Sequence, residues 1–277
     1  MRRREFVGSL AGAWAVGRLE LGRPYAGRLG NLGIQLYTVR RDLARDAEGT
    51  LARVAEIGFR EVEFAGFPQG SAASLRAMLD RHGLTAPSGH VALQALRSDW
   101  DRALDAAAAV GQRYIVVAFL PAEERRTADD WKRLAALFNR GAEAARQRKI
   151  QFAYHNHDFE FVAIEGQTGY DLLLAETDRK LVQFEMDLYW ISKAGRDPVE
   201  YFARWPGRFP LLHVKDMDAT PAKSFTEVGR GVIDFRRIFK RARQAGVRHF
   251  FYEQDSTPGS PFDSARVSYD FLRALKF

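Results

Sequence analysis

Along this chain, amphipathic stretches alternate with short apolar runs, and a glycine marks most of the changes. Leu51, Val54 and Ile57 share one helical face before Gly58, and REVEFAGF follows as an extended segment. Leu75, Met78 and Leu79 stand the same way before Gly83, Trp100, Leu104 and Ala108 before Gly111, and Phe235, Ile238 and Phe239 before Gly246. A glycine just past a helix supplies the left-handed residue that stops it, and apolar runs such as YIVVAFL look like strands buried on both faces. Asp197-Pro198 adds a start signal, an N-cap acid followed by proline at the first helical position. The apolar C-terminus, YDFLRALKF, predicts a last amphipathic helix. Eight strands follow, near 32–37, 60–65, 84–90, 114–120, 151–157, 182–187, 210–215 and 249–254. Alternating with helices in a chain of 277 residues, they predict the α/β class: a (β/α)8 TIM barrel, as a single domain over 29–277.

Four of the strands end in residues able to bind a metal: FAYHNHD, VQFEMD, PLLHVKD and FFYEQD. They offer His155, Asp187, His213 and Glu253, separated by 32, 26 and 40 residues, spacings that suit about one βα unit each. In a barrel the C-terminal strand ends carry the chemistry, so these side chains are expected to converge on one divalent ion. Two imidazoles and two carboxylates suit Mn2+, Mg2+, Co2+ or Zn2+ and leave room for a chelating hydroxy-ketone. Alternation along a strand also places His157 with His155, Glu185 with Asp187, Lys215 with His213, and Asp255 with Glu253 on shared faces. The members that do not reach the ion are expected to line the pocket or the shell behind it. Glu253 and His157 are the candidate acid/base groups and Lys215 the candidate oxyanion stabiliser; a salt bridge to Asp187 or Asp216 is the plainer role for Lys215. His90 lines the pocket or caps its strand, while His82 and His249 are expected to be structural.

Charge changes the picture less than its total suggests. Of the net +7, six arginines against two glutamates put +4 into residues 1–28 and leave +3 for the body, with no basic cluster of the kind nucleic acid needs. No nucleic acid and no stable membrane association are expected; a homo-oligomer is compatible with the sequence. Residues 1–28 look like an address: Arg3-Arg4-Glu5-Phe6-Val7 resembles a twin-arginine export signal, and GSLAGAWAVG behind it is too short to span a bilayer as a helix. The absence of cysteine fits a periplasmic or secreted protein without requiring one. Two further features are open in meaning. Gly229 and Gly231 in EVGRGVIDF suit a phosphate or a closing loop, and Tyr189 and Trp190 suit stacking on a sugar or packing.

GIQLYTVR, EVEFAGF, YHNHDFEF, FEMDLYW, HVKDMD and FYEQD, taken together, resemble the sugar phosphate isomerase/epimerase family of xylose isomerase-like TIM barrels, over residues 31–277. The resemblance implies a divalent cation held by residues of the last four strands, onto which Asp187, His213 and Glu253 map directly. On the fifth strand many members have Glu where this chain has His155, which leaves Glu253 as one carboxylate base and argues against two-base epimerisation. YHNHDFEF is similar to a branch associated with inositol catabolism and 3-keto-sugar processing. The expected function is a metal-dependent isomerase or epimerase acting on a sugar, keto-sugar or cyclitol through an enediolate. The alternatives are a lyase or hydrolase cleaving 3-keto-glycosides and, further off, an endonuclease IV-like phosphodiesterase, for which the histidines are too few.

Overall fold

In the computed structural model, residues 27–30, 32–66 and 71–277 are described; the arginine pair and apolar stretch of the expected export signal lie outside them. All eight expected strands form: β1 Leu32–Gln35, β2 Glu61–Phe64, β3 Thr85–Val91, β4 Tyr114–Val117, β5 Gln151–His155, β6 Val182–Asp187, β7 Leu211–Val214 and β8 His249–Tyr252. Each pairs in parallel with its chain neighbours, and β8 pairs with β1, which closes the barrel. Two short hairpins, Ala163–Ile164 with Gln167–Thr168 and Asp216–Met217 with Phe225–Thr226, decorate the loops after β5 and β7. Among the described residues no helix is long and apolar enough to cross a membrane.

Local chemistry sets the helix ends. Gly111 and Gly246 take left-handed conformations (φ 92° and 86°) as C-caps, where a side chain would be strained. The helix Ala128–Gln147 starts with a capping box: the Thr127 hydroxyl accepts from the Asp130 N–H, and the Asp130 carboxylate accepts from the Thr127 N–H. Asp197 caps Pro198–Arg204 as the sequence signal implies. Near the end the helical pattern breaks into Phe235–Phe239 and Ala242–Ala245, not one helix.

The main core lies between strands and helices, around Trp131, Phe138, Phe184, Phe202 and Phe209. Inside the barrel a smaller plug of Val116, Ala153, Leu211 and Phe251, all with no exposure, fills the space beneath the site. Gly33 on β1 makes room for it, since a Cβ there would collide with the Phe251 ring. The plug closes the barrel, so polar residues further along the strands face a floor and not a channel.

Candidate metal centre

Strand register decides which residues meet. His155 is opposite Glu185, and Asp187 is opposite His213, so β6 and β7 bring Asp187 and His213 level with each other, and His155 sits one inward step lower, beside Glu185. Asn156 clamps the ends of β5 and β6: its Oδ1 accepts from the Asp187 N–H at 3.1 Å, and its Nδ2 donates to the Asp187 carbonyl at 3.4 Å. Asp187 also caps the helix Leu188–Lys193 by accepting from the Trp190 N–H at Oδ1.

That leaves Asp187 Oδ2, which is fully buried and has no hydrogen-bond donor among the described residues. Around it stand His155 Nε2 at 3.9 Å, His213 Nδ1 at 3.9 Å and Lys215 Nζ at 3.1 Å, the last paired with it by charge. Glu253 Oε2 lies 2.8 Å from His213 Nδ1 and 2.7 Å from Lys215 Nζ. Donors of β5 and β7 therefore stand within 4 Å of one buried carboxylate oxygen; Asp187, His213 and Glu253 come together as a group of potential ligands, and His155 lies at its edge, 3.9 Å from Asp187 Oδ2. A buried acceptor without a donor costs about 1–3 kcal/mol, so an ion bound there would satisfy it. The donor set fits a borderline divalent cation.

Buried groups of both charges share the pocket. Burial pushes Asp187 up, and Lys215 and His213 only partly offset it, leaving its carboxyl at about 6. Burial would deprotonate His213, but Glu185, Glu63 and Glu253 outweigh it and raise its pKa well above the usual imidazole range. Lys215, held against Asp187, Glu253 and Asp255, likewise stays charged despite its burial. His155 behaves oppositely: burial keeps it neutral. His157 is pulled down to about 3, by burial and then by the Lys215 charge.

A second polar layer lies one step down the strands. Glu63 and Glu185, both wholly buried, form it with His90 and Gln35. Glu185 Oε2 is 2.8 Å from His90 Nε2, 3.0 Å from His155 Nδ1 and 3.1 Å from His213 Nε2. Glu63 Oε2 is 2.6 Å from His213 Nε2 and accepts from Gln35 Nε2 at 2.9 Å. His90, His155, Glu185 and His213 could also be taken as a metal site. Their contacts are hydrogen-bond distances between rings and a carboxylate, as is that of His213 Nδ1 to Glu253 Oε2; the other group of potential ligands, Asp187, His213 and Glu253, is the one at the C-terminal strand ends.

Above the donors is a cavity of about 460 Å3, whose wall includes Tyr37, His90, Phe119, His155, His157, Lys215, Glu253 and Asp255. The structure thus brings the candidate acid/base groups Glu253 and His157 together with Lys215 on one wall, and His155 joins them, while Asp187 and His213 lie beneath. His157 is stacked on Phe159 and tilted against Trp190, which explains the packing of that aromatic cluster. His90 is a lining residue. The amides of Gly229 and Gly231 are already used: both donate to Asp216 Oδ2, at 2.9 and 3.0 Å, so the loop folds around a carboxylate and offers no phosphate cradle. Sequence reasoning gave Glu63 and Gln35 no role. The available signal was an acid within an apolar strand, which needs a buried partner.

The fold and this polar centre define a class, and the chain belongs to it: the xylose isomerase-like TIM barrel family, whose model matches residues 51–275. Among curated relatives, the inosose dehydratase of Lacticaseibacillus casei is 28% identical over 167 residues, covering 53% of this chain and 55% of that one. The match therefore spans about half the length of the curated relative. A sugar phosphate isomerase/epimerase from Parabacteroides distasonis is 26% identical over 91% of this chain and 98% of its own, with a TM-score of 0.78. The IOLI protein, solved with a zinc atom, shares the fold at 12% identity and a TM-score of 0.70, over 90% of this chain and 99% of that one.

Proposed function

We propose that this protein is a divalent-metal-dependent isomerase or epimerase that acts on a keto-sugar or cyclitol by moving the proton on the carbon next to the carbonyl. The observation that carries the reading is the gathering of Asp187, His213 and Glu253, with His155 Nε2 3.9 Å from Asp187 Oδ2, at the foot of a cavity of about 460 Å3. His155, Asp187, His213 and Glu253 would hold the ion. Once bound, it supplies positive charge beside the oxygens of a hydroxy-ketone and lowers the cost of deprotonating the neighbouring carbon. Glu253 is held ionised, because Lys215 and His213 outweigh its burial, and His157 is neutral, at about 3; both face the pocket deprotonated, as weak bases that depend on the ion to acidify the carbon. Lys215 keeps its charge and can hold an oxyanion.

A second reading, elimination of water or of a glycoside oxygen, is favoured by one residue. With His155 on β5, Glu253 is the one carboxylate of the proposed ligand set on the pocket wall. Two-base epimerisation needs a second group opposite it, whereas elimination can proceed with one base. The partial similarity to inosose dehydratases points the same way.

Turnover of an inosose, and separately of a 3-keto-glucoside, in D2O tests both readings. The expected result is deuterium at the carbon next to the carbonyl for isomerisation or epimerisation, and release of that hydrogen to solvent for elimination, with His157→Asn slowing the loss of the hydrogen by about 10²–10⁴-fold while retaining metal. Unslowed exchange returns the base to Glu253. Product that retains the substrate's own hydrogen at that carbon and gains no deuterium there defeats proton abstraction and moves the assignment to hydrolysis.

A further inference from the structure

We propose that Glu185 is a positioning residue that fixes which ring nitrogen of His155 carries the proton, and so turns the bare Nε2 of that ring toward Asp187. The inference rests on the reading of His155, Asp187, His213 and Glu253 as an ion's ligands, but its first test does not. Glu185 shares the strand and the inward face of Asp187 and lies two residues before it, fully buried. Its Oε2 meets His155 at Nδ1 (3.0 Å) and His213 at Nε2 (3.1 Å), different nitrogens of the two rings. A carboxylate accepts only, and a neutral imidazole has one N–H and one lone pair. The N–H that neutral His155 directs at Glu185 from Nδ1 therefore leaves Nε2 free to act as a ligand, and Nε2 stands 3.9 Å from Asp187 Oδ2. Ligand histidines are commonly oriented in this way by a carboxylate behind them. Here the same carboxylate also takes an N–H from His213, at 3.1 Å. His213 meets carboxylates at both Nε2 and Nδ1, so it carries a proton on each and must lose one to bind an ion.

The two rings do not depend on it equally. His213 Nε2 is also held by Glu63 at 2.6 Å, whereas among the described residues the hydrogen bond of His155 goes to Glu185. In Glu185→Gln the amide can turn its NH2 toward His155 Nδ1, which moves the ring proton to Nε2 and blocks the nitrogen that faces Asp187. His213, with Glu63 in place, should change little.

The first measurement is the long-range 1H–15N spectrum of histidines in the full-length, metal-free protein. His155 is expected as the Nδ1–H form, and in Glu185→Gln as the Nε2–H form or a mixture, with the unfolding midpoint shifted little. The second is calorimetric titration with Zn2+ and Co2+, where Glu185→Gln should weaken binding by about 10–100-fold. A wild-type His155 protonated on Nε2 overturns the proposal without any variant. So does a Glu185→Gln protein that keeps the Nδ1–H form and binds metal as wild type does. A wild-type protein that binds neither ion overturns the ligand reading alone, and the tautomer spectrum still decides the role of Glu185.

Discussion

At the N-terminal mouth of the barrel, Glu61 on β2 meets His249 at the start of β8, at 2.8 Å; two residues further along β2, Glu63 meets His213 at 2.6 Å. Each end of the barrel also has a cavity of similar size, about 450 Å3 beside Glu61 and His249 and about 460 Å3 above His155 and Glu253. Neither a buried Glu–His pair nor a cavity therefore marks the functional end. The difference is in what remains unsatisfied. Among the described residues, the lower end offers no group of three or more metal donors and no buried bare oxygen on Glu61, so its pair is complete in itself. At the upper end two layers are stacked: the lower carboxylates, Glu63 and Glu185, take up ring N–H groups through Oε2 and keep a bare Oε1 each, and Asp187 Oδ2 has the Lys215 charge at 3.1 Å but no directed hydrogen bond among the described residues. Unsatisfied buried oxygens therefore gather at this end, and of the three it is Asp187 Oδ2 that stands among the strand-end donors, whereas the Glu61–His249 pair leaves none on Glu61.

The largest effect should follow from removing that atom. Asp187→Ala or His213→Ala is expected to abolish stoichiometric metal, a loss of at least ~100-fold in affinity, while the far-ultraviolet circular dichroism is kept. His249→Ala should leave metal content unchanged. Elemental analysis after dialysis checks all three, and metal retained in both upper variants would end the distinction between the two ends.

How much of this was legible in the sequence differs by layer. The strands could be read because parallel strands covered on both faces leave near-continuous apolar runs, and because the glycines at 58, 83, 111 and 246 stop the helices before them. The upper donors could be read because they are the last polar residues of those runs, and the barrel rule says which end matters. The carboxylate layer beneath could be read only in part. Alternation puts Glu185 on the face of Asp187, but it gives no depth, and Glu63 and Gln35 meet His213 and His90 from strands far away in sequence. Sequence separations of 150 between Glu63 and His213, or 55 between Gln35 and His90, leave no local trace. The loop after β7 misled for a related reason, since Asp216 takes up the glycine amides that a short motif offers to phosphate.

Proton competition should sharpen the comparison. In the metal-free protein the carboxylates around His213 hold its pKa well above the usual imidazole value, and its Nδ1 faces Glu253 at 2.8 Å, so an ion must displace a proton there. Affinity should therefore rise with pH through neutrality, by about tenfold per unit for one proton released. Below about 6 it should fall more steeply, because the Asp187 carboxyl takes up a proton as well. Calorimetry in two buffers of different ionisation heat measures the protons released. Affinity independent of pH would mean that His213 is not the competing group.

The smallest effect is expected at the lower pair, and it completes the contrast. Glu61 and His249 are mostly buried, with side-chain exposures of 11% and 13%, so their hydrogen bond is screened less than one on the surface. Glu61→Gln keeps the shape and an acceptor oxygen but loses the charge. A charge-assisted hydrogen bond contributes about 1.5–3 kcal/mol, and since the amide retains part of it, a loss of about 1 kcal/mol is expected. In a chain of this size that corresponds to a fall of roughly 2–4 °C in Tm. Metal affinity should stay within about twofold of wild type, because Glu61 supports no ligand ring, unlike Glu185. Denaturant unfolding and calorimetric titration of the same preparations separate the two quantities. If Glu61→Gln cost as much affinity as Glu185→Gln, the barrel interior would be acting as one electrostatic unit, and the division into a structural end and a binding end would fail.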